Sequence, residues 1–360
     1  MGLSSSGVKF KSVMKYAGGY IAWVIGSGFA TGQEALQFFS SYGYKSYAVA
    51  GINLLGFIVF GYLVMRTGFE NKSDAHFDHF RYFCGRKLGI GYSWLVIVTL
   101  LMLLPVLVSG GGAALDEYYH IPKPLGSALL AAVVLAVYLI GFEKMVGIVS
   151  KLGPLIILLC LSIGLLSLLQ GRGSWAAMPD NEAALSPHQA APTWWLSGFL
   201  YLGLNIYPGS TYFARLGTSA HSKKELQWGA LVGGVILMLA IIIMSTAIML
   251  NGAAVADLDV PVLYLARNVA PVFGVIFSVV LELGIFSSCS VITWSVNSTL
   301  SARTHKNALT AVAVAIFGYG ISLLPFGTLI STIYPLIGYA GLLYLACVLW
   351  KGLARRRTDP

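Results

Sequence analysis

Charged residues are scarce in this chain of 360 residues. Asp, Glu, Lys and Arg make up only 10% of it, whereas 57% of the residues are hydrophobic and the mean hydropathy is +0.78. A water-soluble domain normally carries about 25% charged residues. The composition therefore excludes an ordinary soluble protein and predicts an integral membrane protein.

Cysteine, histidine and catalytic motifs are also scarce. The four cysteines are spread over separate segments, which argues against an extracellular disulfide framework. No His-Glu-x-x-His, Gly-x-Ser-x-Gly or phosphate-binding loop motif is present. We therefore expect neither an enzyme nor catalytic residues. A channel is the other alternative, although no ion-selectivity loop is evident.

Two histidines have a weakly metal-like spacing in the run His76-Phe77-Asp78-His79. Cys84 lies nearby in the sequence, but such a run is more typical of an amphipathic helix than of a metal site. The expectation is a short helix that lies along the cytoplasmic surface of the membrane.

Ten apolar runs are long enough to cross a hydrocarbon core of about 30 Å. Because lipid offers no hydrogen bonds to the backbone, these segments are expected to be helical. The predicted fold is all-α, with about ten transmembrane helices. The runs are 13–41, 46–66, 91–115, 123–141, 145–169, 191–214, 225–250, 271–301, 307–325 and 327–350.

Lysine and arginine are distributed unequally between the two sides of the membrane. With a cytoplasmic N-terminus, 18 of the 23 basic residues lie on the inner side, and only Lys45, Lys123, Arg172 and Arg267 lie outside. This bias predicts a multi-pass protein of the cell (inner) membrane with both termini in the cytoplasm. The net charge of +9 is then explained by topology and by contact with anionic lipids, without a nucleic-acid partner.

The order of the apolar runs divides the chain into two similar halves. We expect a cytoplasmic segment at 1–12, a five-helix repeat at 13–169, an extracellular loop at 170–190, a second repeat at 191–350 and a basic tail at 351–360. An odd number of spans in each half forces the second half to enter the membrane from the opposite side. This pattern predicts an inverted 5+5 repeat, from which many secondary transporters are built.

Helix-breaking residues occur in the first span of each half. The run Gly26-Ser27-Gly28 interrupts the first span, and Pro208 follows Asn205 and Tyr207 in the sixth. Both helices are therefore predicted to be broken within the membrane, with free backbone groups near its centre. The alternative is that glycines in these helices serve close packing.

The decapeptide Ile25-Gly26-Ser27-Gly28-Phe29-Ala30-Thr31-Gly32-Gln33-Glu34 resembles the first-helix signature of the YkvI-type membrane proteins. That group is similar to the amino acid–polyamine–organocation superfamily, which has the LeuT-type fold. The resemblance implies that the first, second, sixth and seventh helices form a bundle that rocks against a scaffold. It also implies that the segment 257–267 caps the outer side of the site.

The same resemblance implies where a substrate would bind. The backbone amides of Ser27 and Gly28 would hold a substrate carboxylate at the positive end of a half-helix. Trp23, Asn205 and Tyr207, which lie at or beside the two breaks, are further candidates for substrate contacts.

A sodium site is implied in the same way. The carbonyl groups of Ala22, Ile25 and Gly284 and the hydroxyl groups of Ser287 and Ser288 would supply five oxygen ligands, which suit a small hard cation. The alternative for the serine pair is hydrogen bonding to carbonyl groups one turn earlier in the same helix.

A second sodium ion is not implied. Phe29 stands where the sodium-coupled neurotransmitter carriers have an asparagine ligand, so the expected stoichiometry is not that of two sodium ions.

Three ionisable residues fall within the apolar spans: Glu34, Lys151 and Glu282. Such residues are costly in a membrane and are functional candidates by default. Either glutamate could receive a substrate amine, pair with Lys151 or carry a proton. Lys151 could replace the coupling cation by taking up a proton, or it could extend to the inner headgroups.

These features predict a secondary active transporter that works by alternating access. Its predicted substrate is a small amino acid or a related organic amine, and its predicted coupling ion is Na+. The alternative is a proton-coupled carrier of the same fold that uses Lys151. The expected partners are the small-molecule substrate and the lipid bilayer, and the sequence leaves the oligomeric state open.

Overall fold

A computed structural model describes residues 9–74, 77–140, 146–171, 173–304 and 307–356. Every regular element in these ranges is a helix, and none of the residues described there forms a strand. The expected all-α architecture is therefore observed throughout the described part of the chain.

Fifteen α-helices are numbered here in chain order. Their bounds are α1 Phe10–Val24, α2 Ser27–Thr31, α3 Gln33–Phe38, α4 Ser46–Glu70, α5 His79–Tyr119, α6 Lys123–Ile140, α7 Val146–Leu169, α8 Met178–Leu185, α9 Trp194–Thr218, α10 Lys223–Leu250, α11 Gly252–Val255, α12 Pro261–Val269, α13 Pro271–Thr304, α14 Asn307–Ser322 and α15 Phe326–Arg356. Two short 3-10 helices, Ser40–Lys45 and Ser186–His188, connect them.

Several of these helices can cross a membrane. Within the described residues, 5 helical stretches are long and apolar enough for this, and three shorter apolar helices accompany them. The long stretches are Ser40–Glu70, His79–Tyr119, Lys223–Leu250, Pro271–Leu300 and Phe326–Leu353. The protein is thus a multi-pass membrane protein, while the division into ten spans and two inverted repeats stays a prediction.

The first apolar run is broken where the glycines predicted it. Helix α1 ends with the bond from Ile25 N–H to Ile21 O, and Gly26 is extended (φ −95°, ψ −168°). Helix α2 then spans only five residues and ends at Thr31, before Gly32, whose φ of 93° suits a residue without a β-carbon. The chain continues from there as α3.

The predicted break in the sixth span is wrong. Helix α9 runs without interruption from Trp194 to Thr218 and contains Pro208 in its interior. A proline removes a single N–H donor, here the one that would pair with the carbonyl group of Leu204. Leu204 and Pro208 both line a cavity, a position where a membrane helix tolerates an unpaired carbonyl group.

The helices form two packed groups. Helices α1, α4, α9 and α10 pack on one another, and α5, α6, α13 and α14 form a second group. Helix α15 packs against α9 and α5, and α7 against α10 and α13. The first group contains the four helices that the resemblance assigned to a moving bundle, and the bundle itself stays a prediction.

Glycines allow the closest approaches within and beside this bundle. A β-carbon on Gly68 of α4 would collide with the backbone of Ala214 on α9, and one on Gly217 of α9 would collide with the backbone of Met65. On its other side, α9 meets α15 through the backbones of Gly203 and Gly341. Helix α9 is therefore held between two neighbours at backbone contact.

The start of α5 is a short helical segment set off from the rest of the helix by a kink. Its first turn, capped by the Asp78 carboxylate, folds back at Gly85 (φ 75°), so that Gly89 lies against the backbone of Arg81. His79 and Phe80 are buried. One face of this turn is packed against the protein and Arg81 is exposed on the other, while its position at the membrane surface stays a prediction. His76 lies outside the described residues.

Candidate functional site

A cavity of about 1040 Å³ lies between the two helix groups. Its walls come from α1 and α9 on the bundle side and from α5 and α13 on the other side. The apolar part of the wall includes Leu100, Leu103, Leu107, Leu204, Val291 and Ile292. A cavity of this size with mostly apolar walls and few polar groups is typical of a small-molecule site.

The cavity opens at one end of the molecule. Its mouth is lined by the exposed residues Lys72 and Asp74, which connect α4 to α5, and by Arg215 near the end of α9. The start of α1 lies at this same end, since Lys15 Nζ donates to Ser219 Oγ at 3.1 Å just after α9.

The opposite end of the molecule is closed by hydrogen bonds. Gln33 and Gln37 on α3 donate from Nε2 to the carbonyl oxygens of Leu258 (2.7 Å) and Gly327 (3.2 Å). Lys123 Nζ donates to Leu324 O at 2.7 Å. The segment implied to cap the outer side, 257–267, lies at this end, because it includes Leu258 and most of α12.

The deep end of the cavity is defined by Glu34 on α3. Its side chain is 7% exposed and lines the cavity together with Gly28 and Tyr334. Tyr201 on α9 donates its hydroxyl to Glu34 Oε2 at 3.2 Å, and the Tyr334 hydroxyl on α15 also hydrogen-bonds to this carboxyl group. The carboxyl group thus joins the broken first helix to α9 and α15.

Trp23 fixes the wall just before the break. Its indole Nε1 donates to the carbonyl oxygen of Asn205 at 3.1 Å, and its ring stacks on Tyr212 with centroids 5.7 Å apart. A β-carbon on Gly209 would collide with this indole, so the glycine makes room for it. Trp23 and Asn205, both predicted as contact residues, therefore lie on the cavity wall and touch each other.

Tyr207 is not brought to the cavity. It is buried in a cluster of aromatic rings with Phe80, Tyr92 and Tyr344, and its hydroxyl lies 3.3 Å from Thr99 Oγ1. On a continuous α9 this side chain points away from the wall that Asn205 and Pro208 form. Its predicted contact with substrate has no geometric support.

Glu282 is also away from the cavity. It lies on α13 against Gly111 of α5, and its Oε1 is buried without a hydrogen-bond partner among the described residues. Glu34 and Glu282, for which the sequence offered the same alternative roles, therefore lie in separate places.

The predicted amide site lies directly beside Glu34. A β-carbon on Gly28 would collide with Glu34 Oε1 and would lie 2.8 Å from the Tyr334 hydroxyl. The carboxyl group therefore occupies the space next to Gly28. The side chain of Ser27 lies outside the described residues.

The predicted sodium ligands are partly brought together. Ala22, Ser287 and Ser288 line the cavity from opposite walls, whereas Ile25 and Gly284 are buried beside it. The carbonyl oxygen of Ala22 accepts no hydrogen bond from the backbone N–H groups that follow α1 in the described part of the chain. Ser288 Oγ donates to Gly284 O at 3.1 Å, which is the helix-internal bond expected as the alternative.

Lys151 has its backbone on α7, but its side chain lies outside the described residues. The proton-coupling alternative thus stays a prediction.

Sequence reasoning missed Tyr201 and Tyr334, which hold the Glu34 carboxyl group. Both are fully or almost fully buried tyrosines on membrane helices. A buried tyrosine hydroxyl generally needs a partner, so the available signal was an acidic residue and two tyrosines within otherwise apolar spans. The sequence contains 19 tyrosines, and only tertiary packing selects these two.

A metal centre built from acidic and sulfur or imidazole ligands is not seen in the described part of the chain. No group of three or more His, Cys, Asp or Glu side chains is close enough there to hold a metal ion.

The chain is similar to membrane proteins of unestablished function. It is 27% identical over 350 residues to the "Uncharacterized membrane protein YkvI" of Bacillus subtilis, covering 94% of this chain and 96% of that protein. It is 23% identical over 332 residues to "Uncharacterized protein YyaD" of the same organism, covering 91% and 93%. No protein-family model matches the chain. The likeness to YkvI that the decapeptide suggested thus extends along nearly the whole sequence.

Solved structures with a similar fold are variants of a manganese transporter from Eremococcus coleocola. One superposes with a TM-score of 0.53 at 15% identity, and another with 0.54 at 16% identity. Each alignment covers 97% of this chain and 79% of the transporter. At this identity the likeness concerns the arrangement of helices, and it leaves substrate and coupling open.

Proposed function

We propose that this protein is a secondary active transporter that works by alternating access on a small amino acid or a related organic amine. One observation carries the proposal. A large cavity runs from an open mouth to the break in the first membrane helix and is closed by hydrogen bonds beyond it. A cavity that reaches mid-protein from one side is one of the two states that alternating access requires.

The proposed orientation places the open mouth in the cytoplasm. The mouth carries Lys72 and Arg215, and the basic residues of the chain predominate on that side in the topology derived from the sequence. The structure then corresponds to an inward-open carrier of the cell membrane with cytoplasmic termini. A fold of the LeuT type and membership of the amino acid–polyamine–organocation superfamily are part of the same proposal.

Manganese is not the proposed substrate of this chain. The similar solved structures are manganese transporters, but their likeness is one of fold. Mn2+ prefers several oxygen or nitrogen side-chain ligands. The deep end of this cavity offers one carboxyl group, Glu34, and no cluster of acidic or imidazole side chains among the described residues.

We further propose that transport is coupled to sodium. Support comes from Ala22 and the serines Ser287 and Ser288, which face one cavity from α1 and α13. Carbonyl and hydroxyl oxygens are the ligands that small hard cations prefer. In this proposal sodium is a transported ion that enters from the same cavity as the substrate.

Transport itself is tested with purified protein in liposomes. A carrier should show saturable uptake and counterflow, in which an internal unlabelled amine accelerates the entry of the labelled one. Non-saturating flux would indicate a channel, and conversion of the solute to a product would indicate an enzyme. Either result would contradict the proposed function.

Coupling is tested by two variants in the same liposomes. Ser287→Ala combined with Ser288→Ala should abolish the dependence of uptake on a sodium gradient, because two of the proposed oxygen ligands are removed. Lys151→Ala should leave that dependence intact. The measurement is initial uptake with an inward gradient of NaCl or of choline chloride at constant pH.

The proton-coupled alternative makes the opposite prediction. Uptake that ignores the sodium gradient, follows a proton gradient and is lost in Lys151→Ala would replace sodium coupling by proton coupling. In that case the double serine variant should still transport.

A further inference from the structure

Among the described residues, the polar side chains at the deep end of the cavity are ones that attract cations. Glu34 supplies a carboxyl group, Tyr334 supplies a hydroxyl oxygen, and Trp23 supplies an aromatic ring on the wall of the same cavity. Carboxylates, hydroxyl oxygens and aromatic faces all favour a positive charge. The described polar groups at the deep end therefore favour a cation over an anion.

No cationic side chain competes for Glu34 among the described residues. The carboxyl group is held by the neutral hydroxyls of Tyr201 and Tyr334, and the described ion pairs lie elsewhere. The basic residues that line the cavity, Lys72 and Arg215, lie at its mouth. A buried acidic group is normally paired with a cation or hydrogen-bonded, and the described partners of Glu34 are of the second kind.

A ligand carboxylate has no comparable place at this end. The position beside Gly28, where the sequence suggested an amide site for one, is taken by Glu34 Oε1 itself. The half-helix that starts there has only five residues and adds little to anion binding. A second carboxylate would stand next to the first one, and the two would repel each other.

The walls between the mouth and the deep end are mostly apolar. Leu100, Leu103 and Leu107 from α5 face Leu204 from α9 across the cavity. Such a wall accepts the hydrocarbon part of a ligand whose charged group lies beyond it.

We propose that the ligand of this cavity is an organic amine that carries an ammonium group, an apolar body and no free carboxylate, with Glu34 as its counter-ion. This inference rests on the proposed function and narrows it, since it removes zwitterionic amino acids from the proposed substrates. Glu34 binds the ammonium group, and the two tyrosines orient the carboxylate.

The test compares four probes that share one hydrocarbon body. They are isoamylamine, leucine, isocaproate and isoamyl alcohol, which present the ammonium group alone, both charges, the carboxylate alone and no charge. Binding to the purified full-length protein is measured by isothermal titration calorimetry in detergent at constant ionic strength. We expect isoamylamine to bind roughly tenfold or more tightly than each of the other three probes.

The role of Glu34 is tested in the same titration. Glu34→Gln keeps the size of the side chain and can still accept a hydrogen bond from a tyrosine, but it removes the charge. The amine affinity should fall roughly tenfold or more, while the melting temperature stays at or above that of the parent protein. The matched control is Glu225→Gln, a buried glutamate at the start of α10 away from the cavity, which should bind the amine like the parent.

Each remaining outcome has a defined meaning. Leucine that binds as tightly as isoamylamine would overturn the inference and leave the transporter proposal standing. Displacement of the amine by NaCl but not by choline chloride, with loss of sodium binding in Glu34→Gln, would assign Glu34 to the metal cation and also overturn it. Amine binding that depends on Glu34 without counterflow in liposomes would support the site and contradict the transporter proposal instead.

Discussion

The first membrane helix and α9 respond differently to residues that interrupt helices. The first is divided at Gly26 into α1 and α2, whereas α9 continues through Pro208. At Gly26 no atom lies within 4 Å of the place where a β-carbon would be, so the neighbours do not press the chain into a helix. Helix α9 is in backbone contact with α4 and α15 at its glycines. The packing around a helix breaker therefore decides whether it interrupts the helix.

The largest expected effect comes from the contact that holds α9 against α4. In Gly68→Ala the new methyl group would meet the backbone of Ala214, which cannot move without shifting the helix. We expect the free energy of unfolding to fall by about 1–3 kcal/mol, measured as a lower melting temperature in detergent.

The control for this variant lies on the same helix. Gly51 is exposed and has no atom within 4 Å of its β-position, so Gly51→Ala should leave the melting temperature unchanged or raise it slightly. Equal melting temperatures for the two alanine variants would contradict the view that α9 is held by backbone contact at Gly68.

A smaller effect is expected at the break itself. In Gly28→Ala the methyl group would push against the ends of two side chains, Glu34 and Tyr334, which can turn aside. Stability should change little, but the carboxyl group would leave its position and the affinity for isoamylamine should fall roughly tenfold. Titration calorimetry measures this.

The matched substitution for Gly28 is on the exposed face of α1. Gly18 has no neighbour within 4 Å, so Gly18→Ala should bind the amine like the parent protein. Unchanged binding in Gly28→Ala would show that the Glu34 carboxyl group is not held against the break in the way described.

The smallest effect is expected at Pro208. Since α9 is already continuous, Pro208→Ala adds an N–H that can donate to Leu204 O, and the protein should gain at most about 1 kcal/mol of stability. Uptake in liposomes should change little. A variant that folds normally but has lost transport would show instead that α9 opens at this proline in another state of the cycle.

Much of the fold follows from local patterns in the sequence. A helix lies in each of the ten apolar runs, because a chain in lipid has to satisfy its own backbone. The break after α1 was predictable because Gly26, Gly28 and Gly32 lie close together in a single span. In the structure Gly32 adopts a positive φ. These features depend on the nature and spacing of neighbouring residues.

The rest depends on contacts between distant residues. The pairing of Glu34 with Tyr201 and Tyr334 joins three helices, and no local pattern marks those two tyrosines. Tyr207 was assigned to the site because a break was expected beside it, and on a continuous helix it faces an aromatic cluster instead. His79 looked like a surface residue until the fold at Gly85 buried it.

The closed end of the molecule has a consequence for the speed of a transport cycle. Its closure includes three side-chain donors, Gln33, Gln37 and Lys123, each bonded to a backbone carbonyl oxygen distant in the sequence. Bonds of this kind contribute roughly 1 kcal/mol apiece, so together they bias the two states by on the order of a hundredfold. A bias of that size keeps the closed side shut for most of the time, yet a bound ligand with a modest preference for the other state can reverse it.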